Sequence, residues 1–393
     1  MDVIKGTFKS FLGFVLIGAG GGVIVGTLES LTAMFSRAFG IAGVLPNNEA
    51  IIALALVNYG DTAVWILFFG MAANIIFARL TPLKYVFLST HLAFYMACLI
   101  GIVMAGANVS TIPAIIAGAV ILGFAMVTLP ALAQPFMRKI SKNDDIALGH
   151  FGTLGHVCSG YLGKLLRGRK TVSTEDIPIP KSLGFLQDNT VSVGITMCVL
   201  FLIMTVAAGR GYVEMYLSGG THFIVFAVMQ AIIFTAGIFI VFQGVQMMIA
   251  EILPAFRGIS EKLIPGARPA FDCPIVFPYA PNAVLIGFIS SFAAGTIGMF
   301  ILAVVGNVVI IPGVAAHFFA GAAAAVFGNS TGGIRGAVAG SFINGLLMAF
   351  TPLLLLPFLG DLAYAGTIFS DVDFIFIGSG LGWVLRLIFP FQP

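Results

Sequence analysis

The sequence predicts an all-α polytopic membrane protein of about ten transmembrane helices, arranged as two inverted repeats with re-entrant segments. Three observations predict it. Hydrophobic residues make up 59% of the 393 and charged residues only 9%, too few polar groups to coat the surface of a soluble fold. Long stretches carry no Asp, Glu, Lys or Arg: from Lys84 to Arg138, Glu214 to Glu251, Cys273 to Ile334 and Gly336 to Gly360. About 20 apolar residues cross the hydrocarbon layer as a helix, so the first and third stretches must fold back. The third observation is a weak internal repeat. Gly22-Val23, Glu29, Leu31 and Ala33 match Gly244-Val245, Glu251, Leu253 and Ala255; Ile41, Gly43 and Pro46 match Ile264, Gly266 and Pro269.

Spans are expected at 10–34, 63–79, 85–105, 111–134, 190–209, 222–250, 284–306, 313–331, 336–358 and 374–392, that at 313–331 being a candidate re-entrant segment. The stretches 40–58 and 270–283 are apolar but short and interrupted, as backbone at membrane depth is only beside protein or a cavity. Residues 135–189 hold Arg138, Lys139, Lys142, Lys164, Arg167, Arg169, Lys170 and Lys181, which places them on the cytoplasmic side. The chain thus divides into a first membrane repeat (1–134), a basic cytoplasmic connection (135–189) and a second repeat with a C-terminal helix (190–393). Counting spans from that connection puts both termini inside and the acidic stretch Asp361–Asp373 outside. Four spans separate the two repeat motifs, so their helices run in opposite directions. Inverted repeats of this kind place a transporter's substrate at the repeat interface.

Ionisable groups at membrane depth are costly and are functional candidates. Glu49 and Asp272 qualify, each three residues past its repeat's proline, and so does His91, in a span without formal charge. His91 also has a packing reading, bonded to a backbone carbonyl. His150 is either a loop histidine or part of a stretch dipping toward the membrane; His317 follows Pro312-Gly313, where close backbone approach is plausible; His156 and His222 look peripheral. The histidines share no metal-ligand spacing, and Cys98, Cys158, Cys198 and Cys273 read as packing residues, so neither a metal nor a cofactor is expected. Gly18, Gly22 and Gly26 form a small-residue face suited to close helix packing. No nucleotide-binding or hydrolase motif is present.

Several runs together resemble the ascorbate-specific permease subunit, enzyme IIC, of the bacterial phosphotransferase system: I-K-G-T-F-K at Ile4, S-T-H at His91, A-L-G-H at His150, R-G-I-S-E-K-L-I-P-G-A at Arg257, F-D-C at Asp272 and A-P-N-A-V at Ala280. The resemblance spans nearly the whole chain. It implies eleven helices in inverted five-helix repeats, a homodimer in the bacterial cytoplasmic (inner) membrane and its lipid, and a sugar or sugar acid carried across by a core domain. Separate IIB and IIA phosphoryl-carrier proteins phosphorylate that substrate, so the chain needs no catalytic centre of its own and no nucleic-acid partner. The implied substrate contacts are Asn48, Glu49, His91, Leu92, Ala93, Phe94, Tyr95, His150, Phe151 and Asp272. The chain departs from the family at Tyr95 and Phe151, where the family has glutamine, at Asn48 and Glu49, and in an extra helix expected before Ile4. The competing expectation is an ion-coupled secondary transporter using Glu49 or Asp272 as its proton or cation site; a membrane enzyme is disfavoured by the missing motifs.

Overall fold

A computed structural model describes residues 2–40, 42–168, 171–178, 189–306 and 308–388. Ile41, Arg169, Lys170 and Lys181, used above for the repeat and the charge count, lie outside the described residues. Among the described residues there are ten longer helices: α1 (Asp2–Phe39), α2 (Asn48–Leu80), α3 (Thr90–Gly106), α4 (Thr111–Ser141), α5 (Thr153–Leu165), α6 (Asn189–Ala208), α7 (Phe223–Leu263), α8 (Pro281–Val305), α9 (Ala322–Phe350) and α10 (Val372–Ile388). The fold is helical with several long apolar helices, as an all-α membrane protein requires. Five helical segments among the described residues are long and apolar enough to cross a membrane, six if the pair 193–208 and 210–217, bent by 101° at Gly209, is one span. Their outward faces are apolar: Trp65, Phe68 and Phe69 on α2, and Ile112, Ile116 and Phe124 on α4. Water would penalise such a continuous surface; lipid does not.

The breaks between helices are the informative part. The expected span 85–105 is instead a strand, β2 (Tyr85–Phe87), followed by the 17-residue helix α3. Strands of two to five residues recur as β1 (Ala42–Pro46), β3 (Ala147–Leu148), β4 (Arg268–Phe271), β5 (Val308–Ile310) and β6 (Thr367–Ile368). They form two three-stranded parallel sheets, ordered β5-β1-β6 and β2-β4-β3. The pattern is reciprocal. Each sheet takes its central strand from one half of the chain and both flanking strands from the other half. The central strands carry the two matched prolines, Pro46 facing Ile368 and Pro269 facing Val86.

Helix packing then uses small residues. The helical run from Val314 to Phe358 breaks at Gly333, whose φ of 60° and ψ of −148° are non-helical. Gly328 and Gly336 would stand about 12 Å apart along a straight helix, yet a Cβ on either would run into the other's carbonyl oxygen. The chain therefore doubles back there, which keeps the expected segments 313–331 and 336–358 distinct. Helix α5 lies in that hairpin through Gly155, Ser159 and Gly163, against Asn344, Gly340 and Gly332 in turn, a small-residue contact of the kind that joins membrane helices. The glycine face predicted on α1 behaves differently. Among the described residues Gly22 and Gly26 meet nothing within 4 Å, and a close approach of α1 to α7 is made by Gly237 against Gly20 and Ile24. The Gly18 side position lies outside the described residues. Lys9 and Glu251 add an ion pair of 2.7 Å between the same helices.

Two side chains close the open edges of the second sheet. Asn74, buried on α2, donates to the Tyr85 carbonyl (3.2 Å) and accepts from the Phe87 amide (3.1 Å). Gln134 donates to the Ile146 carbonyl (3.1 Å) beside β3. Asp144, in the loop after α4, binds Arg138, Gln134 and Arg268 and so ties the end of α4 to β4. Hydrogen bonds from Arg138 and then Gln134, with the nearby Arg268 charge, hold its carboxyl at about 2 against an ordinary 3.8.

Two outcomes follow. Asn74→Leu leaves a buried carbonyl and amide unpaired at about 1–3 kcal/mol each. It should lower the unfolding midpoint in detergent, whereas Gly22→Ala should not; an unchanged Asn74→Leu midpoint removes the edge-closing role. Asp144 has a folded pKa below its unfolded value, so its stabilisation is complete above about pH 4 and is lost as pH falls toward 2. The midpoint difference between the parent and Asp144→Asn should shrink over that window and be flat above it.

Candidate functional site

Parallel strands end on the same side, so each sheet gathers three chain ends at one place. The carboxyl ends of both sheets converge on a cavity with about 530 Å³ of empty space, its open mouth included. Pro46 ends β1 and Asn47, Asn48 and Glu49 follow it; His91, Leu92 and Tyr95 follow β2; His150 follows β3; Asp272 follows β4; Ala315, Ala316 and Phe319 follow β5; Ser370 and Asp371 follow β6. All six strand ends contribute.

Asp272 is the best-connected polar group. It caps the short 3-10 helix Cys273–Tyr279 by accepting from the Cys273 amide at 2.6 Å. His91 Nε2 lies 3.3 Å from one carboxylate oxygen and His150 Nε2 lies 3.7 Å from the other. The Gly152 amide donates to His150 Nδ1 at 2.8 Å, which assigns the ring proton to Nε2, toward Asp272. The Nδ1 of His91 is buried with no hydrogen-bond partner among the described residues, and its ring meets Tyr95 edge-on at 5.9 Å.

Across the cavity, Asn47 caps α2 by accepting from the Ala50 amide at 2.8 Å. Asn48 donates to Asp371 Oδ2 at 2.7 Å and accepts from the Ser370 amide at 3.0 Å. Ser370 Oγ donates to the same carboxylate oxygen at 3.0 Å. Glu49, in the first turn of α2, lines the same cavity as Asp272, while the cap position that Asp272 holds before its 3-10 helix is held before α2 by Asn47. Gly313 sits so close to the Pro46 carbonyl that a Cβ would overlap it, the close approach its sequence suggested.

Of the ten residues the sequence proposed, seven line this cavity: Asn48, Glu49, His91, Leu92, Tyr95, His150 and Asp272. Ala93 and Phe94 are fully buried on α3, and Phe151 is packed between Phe87 and Phe374 at 5.3 and 5.2 Å. His317 stays outside the lining; its Nδ1 lies 2.7 Å from Ser291 Oγ. His156 is not peripheral but fully buried, 5.4 Å from the His150 ring. Its helix is drawn inside by the Gly155–Gly163 face. His150, His156 and Cys273 bring ligand-type atoms within 4.8 Å of one another, but a metal there would compete with the Gly152 and Asp272 contacts of His150. The acidic stretch Asp361–Asp373 is not a simple outer loop either. Asp361 is exposed, while Asp371 and Asp373 are buried at 3% and 0% exposure, Asp373 accepting from the Leu154 amide at 3.0 Å. Sequence reading missed Ser370 and Asp371. They stand two and three residues past β6, in a stretch that the repeat motifs do not reach.

A curated relative from Mycoplasma pneumoniae, an ascorbate-specific PTS system EIIC component, is 26% identical over 393 aligned positions covering 85% of this chain. The chain spans about 58% of that relative's length. Residues 1–373 match the family of PTS system sugar-specific permease components, and the chain belongs to that family.

Proposed function

We propose that this chain is the membrane-embedded translocating subunit of a phosphotransferase system, moving a sugar or sugar acid that a separate IIB protein, fed by IIA, phosphorylates at the cytoplasmic side. One observation carries the reading beyond family membership. Glu49 and Asp272, three residues past matched prolines in opposite halves, face one cavity together with His91 and His150. A site shared between two halves of opposite direction is what alternating access needs. Hydroxyls both donate and accept, so carboxylates and imidazoles suit a polyhydroxylated solute. The same reading places the basic stretch 135–189 between a first unit (1–134) and a second (190–393), on the cytoplasmic side of a bacterial inner membrane, where it meets the phosphorylating partner. It also makes the protein a homodimer. Ion-coupled transport through Glu49 or Asp272 is the competing reading, and the family does not favour it.

Membrane vesicles separate the two. With the phosphoryl-carrier proteins present, uptake should yield a phosphorylated product; with only a proton or sodium gradient, no substrate should accumulate. Strong gradient-driven accumulation would establish the ion-coupled reading instead. The site itself is tested by binding to purified protein. His91→Ala and Asp272→Ala each remove a cavity hydrogen bond at about 1–3 kcal/mol, or roughly ten- to a hundredfold in affinity. If both folded variants bind as well as the parent, the substrate sits elsewhere. Tyr95→Gln should change substrate preference directly, because Tyr95 lines the cavity; Phe151→Gln should act by loosening the Phe87–Phe374 stack.

A further inference from the structure

We infer that a groove on the outward face of α2 and α4 holds the acyl chain of an anionic phospholipid, whose phosphate is bound by Arg79 and Lys262. The inference needs only the membrane class of the fold and is independent of what the protein carries. Small residues make the groove. Gly70 meets Leu122 and Gly123 meets Ala73 so closely that a Cβ on either glycine would overlap its neighbour, which sets α2 and α4 at contact distance. Ala72 and Ala119 then leave the seam open, while Phe69, Ile76, Ile116 and Val120, each about half exposed, stand beside it. The groove has about 900 Å³ of empty space, its open side included, and every side chain lining it is apolar. Both helices are long and apolar enough to cross a membrane, so hydrocarbon is the medium that fills such a surface.

The groove ends on charge. Ile76 also lines a second cleft, of about 820 Å³, together with Ile75, Arg79, Leu80, Lys262 and Leu263. These residues come from the carboxyl ends of α2 and α7, nearly two hundred positions apart. Strands β2 and β4 follow those two helices and pair in parallel, Tyr85 against Arg268. The Arg268 amide donates to the Lys84 carbonyl at 2.7 Å, so strand pairing draws the two helix ends into one corner. Among the described residues, no carboxylate lines this cleft or lies within salt-bridge distance of Arg79 or Lys262. Each helix end brings about half a negative charge. Lys84 already offsets that of α2, donating to the Arg79 carbonyl at 3.0 Å. Arg79 and Lys262 against the end of α7 leave about +1.5.

The groove and the charged cleft are spaced as one lipid is. Phe69 and Arg79 lie ten residues apart on α2, about 15 Å along the helix, which is half of a hydrocarbon layer roughly 30 Å thick. A phosphate at Arg79 therefore stands at the membrane boundary when its acyl chain fills the groove toward the mid-plane. The guanidinium offers phosphate two parallel N–H donors, and the lysine adds a point charge. A soluble anion would match the charge and leave the groove empty. A zwitterionic lipid would fill the groove and bring its own cation to a cationic corner. A phospholipid of net negative charge satisfies both, as basic pockets between membrane helices do for such headgroups.

Native mass spectrometry of the purified full chain in detergent counts bound lipids and bound copies separately. The probes are phosphatidylglycerol and phosphatidylcholine with the same palmitoyl and oleoyl chains, and glycerol phosphate as the bare headgroup. Phosphatidylglycerol should bind about tenfold more tightly than phosphatidylcholine, and glycerol phosphate at equal concentration should not displace it. Arg79 and Lys262 are exposed, so each can be changed without disturbing the core. Arg79→Gln and Lys262→Gln should each weaken phosphatidylglycerol binding about fivefold and leave phosphatidylcholine unchanged. Lys164→Gln, which removes an exposed cation of α5, should change neither. Ala72→Phe fills the groove and should weaken both lipids; melting curves show which variants are folded. Equal binding of the two lipids overturns the inference, as does displacement by glycerol phosphate or a loss in Lys164→Gln as large as in Arg79→Gln. A folded Ala72→Phe that binds lipid like the parent also overturns it, and one that changes the number of copies instead makes the groove an interface between copies of this chain.

Discussion

A broken helix inside a membrane must satisfy its own freed backbone groups, because lipid offers no partners. The rest of this structure depends on how that constraint is met. Short strands at six helix breaks pair across the two halves, Leu45 with Gly366, Ile311 with Val44, Leu88 with Ala270 and Gly149 with Phe271. Where a strand has no further neighbour, a buried amide side chain takes its place, as Asn74 does for β2. The pairing is reciprocal, so neither half completes a sheet alone. Interdependence of the halves is therefore a consequence of backbone hydrogen bonding, before any side chain packs.

That pairing also creates the cavity. Parallel strands deliver their carboxyl ends to one place, and the helices that follow begin there. Asn48, Glu49, His91, His150, Asp272, Ser370 and Asp371, all on the first residues after a strand, consequently line a common space. Asp272 and Asn47 cap the segments they precede, so their orientation is set by helix geometry rather than by contact with a ligand. The side chains are held in advance, which lowers the ordering cost of binding. The hairpin at Gly333 supports this arrangement from behind. It admits α5 at backbone distance through Gly155 and Gly163, and α5 in turn begins just past His150 and Phe151.

The sequence by itself determined the membrane class, because a chain with 9% charged residues and uncharged runs of such length has no other stable environment. It also showed the repeat, and through the repeat Glu49 and Asp272, since acids at equivalent places past matched prolines survive in the primary structure as spacing. His91 was legible because an ionisable group in an uncharged run is conspicuous. Only the tertiary structure decided what surrounds them. Hydropathy reads 85–105 as one span, but a three-residue strand is as apolar as a helix turn, and its partner β4 lies some 180 residues away. Burial of His156, and of Asp371 and Asp373 in what charge counting makes an outer loop, likewise depends on neighbours from the other half. Periodicity and charge record a residue's own preference for lipid or water; strand pairing between distant segments, which brings Ser370 and Asp371 to the same cavity as Asp272, is a property of the folded chain alone.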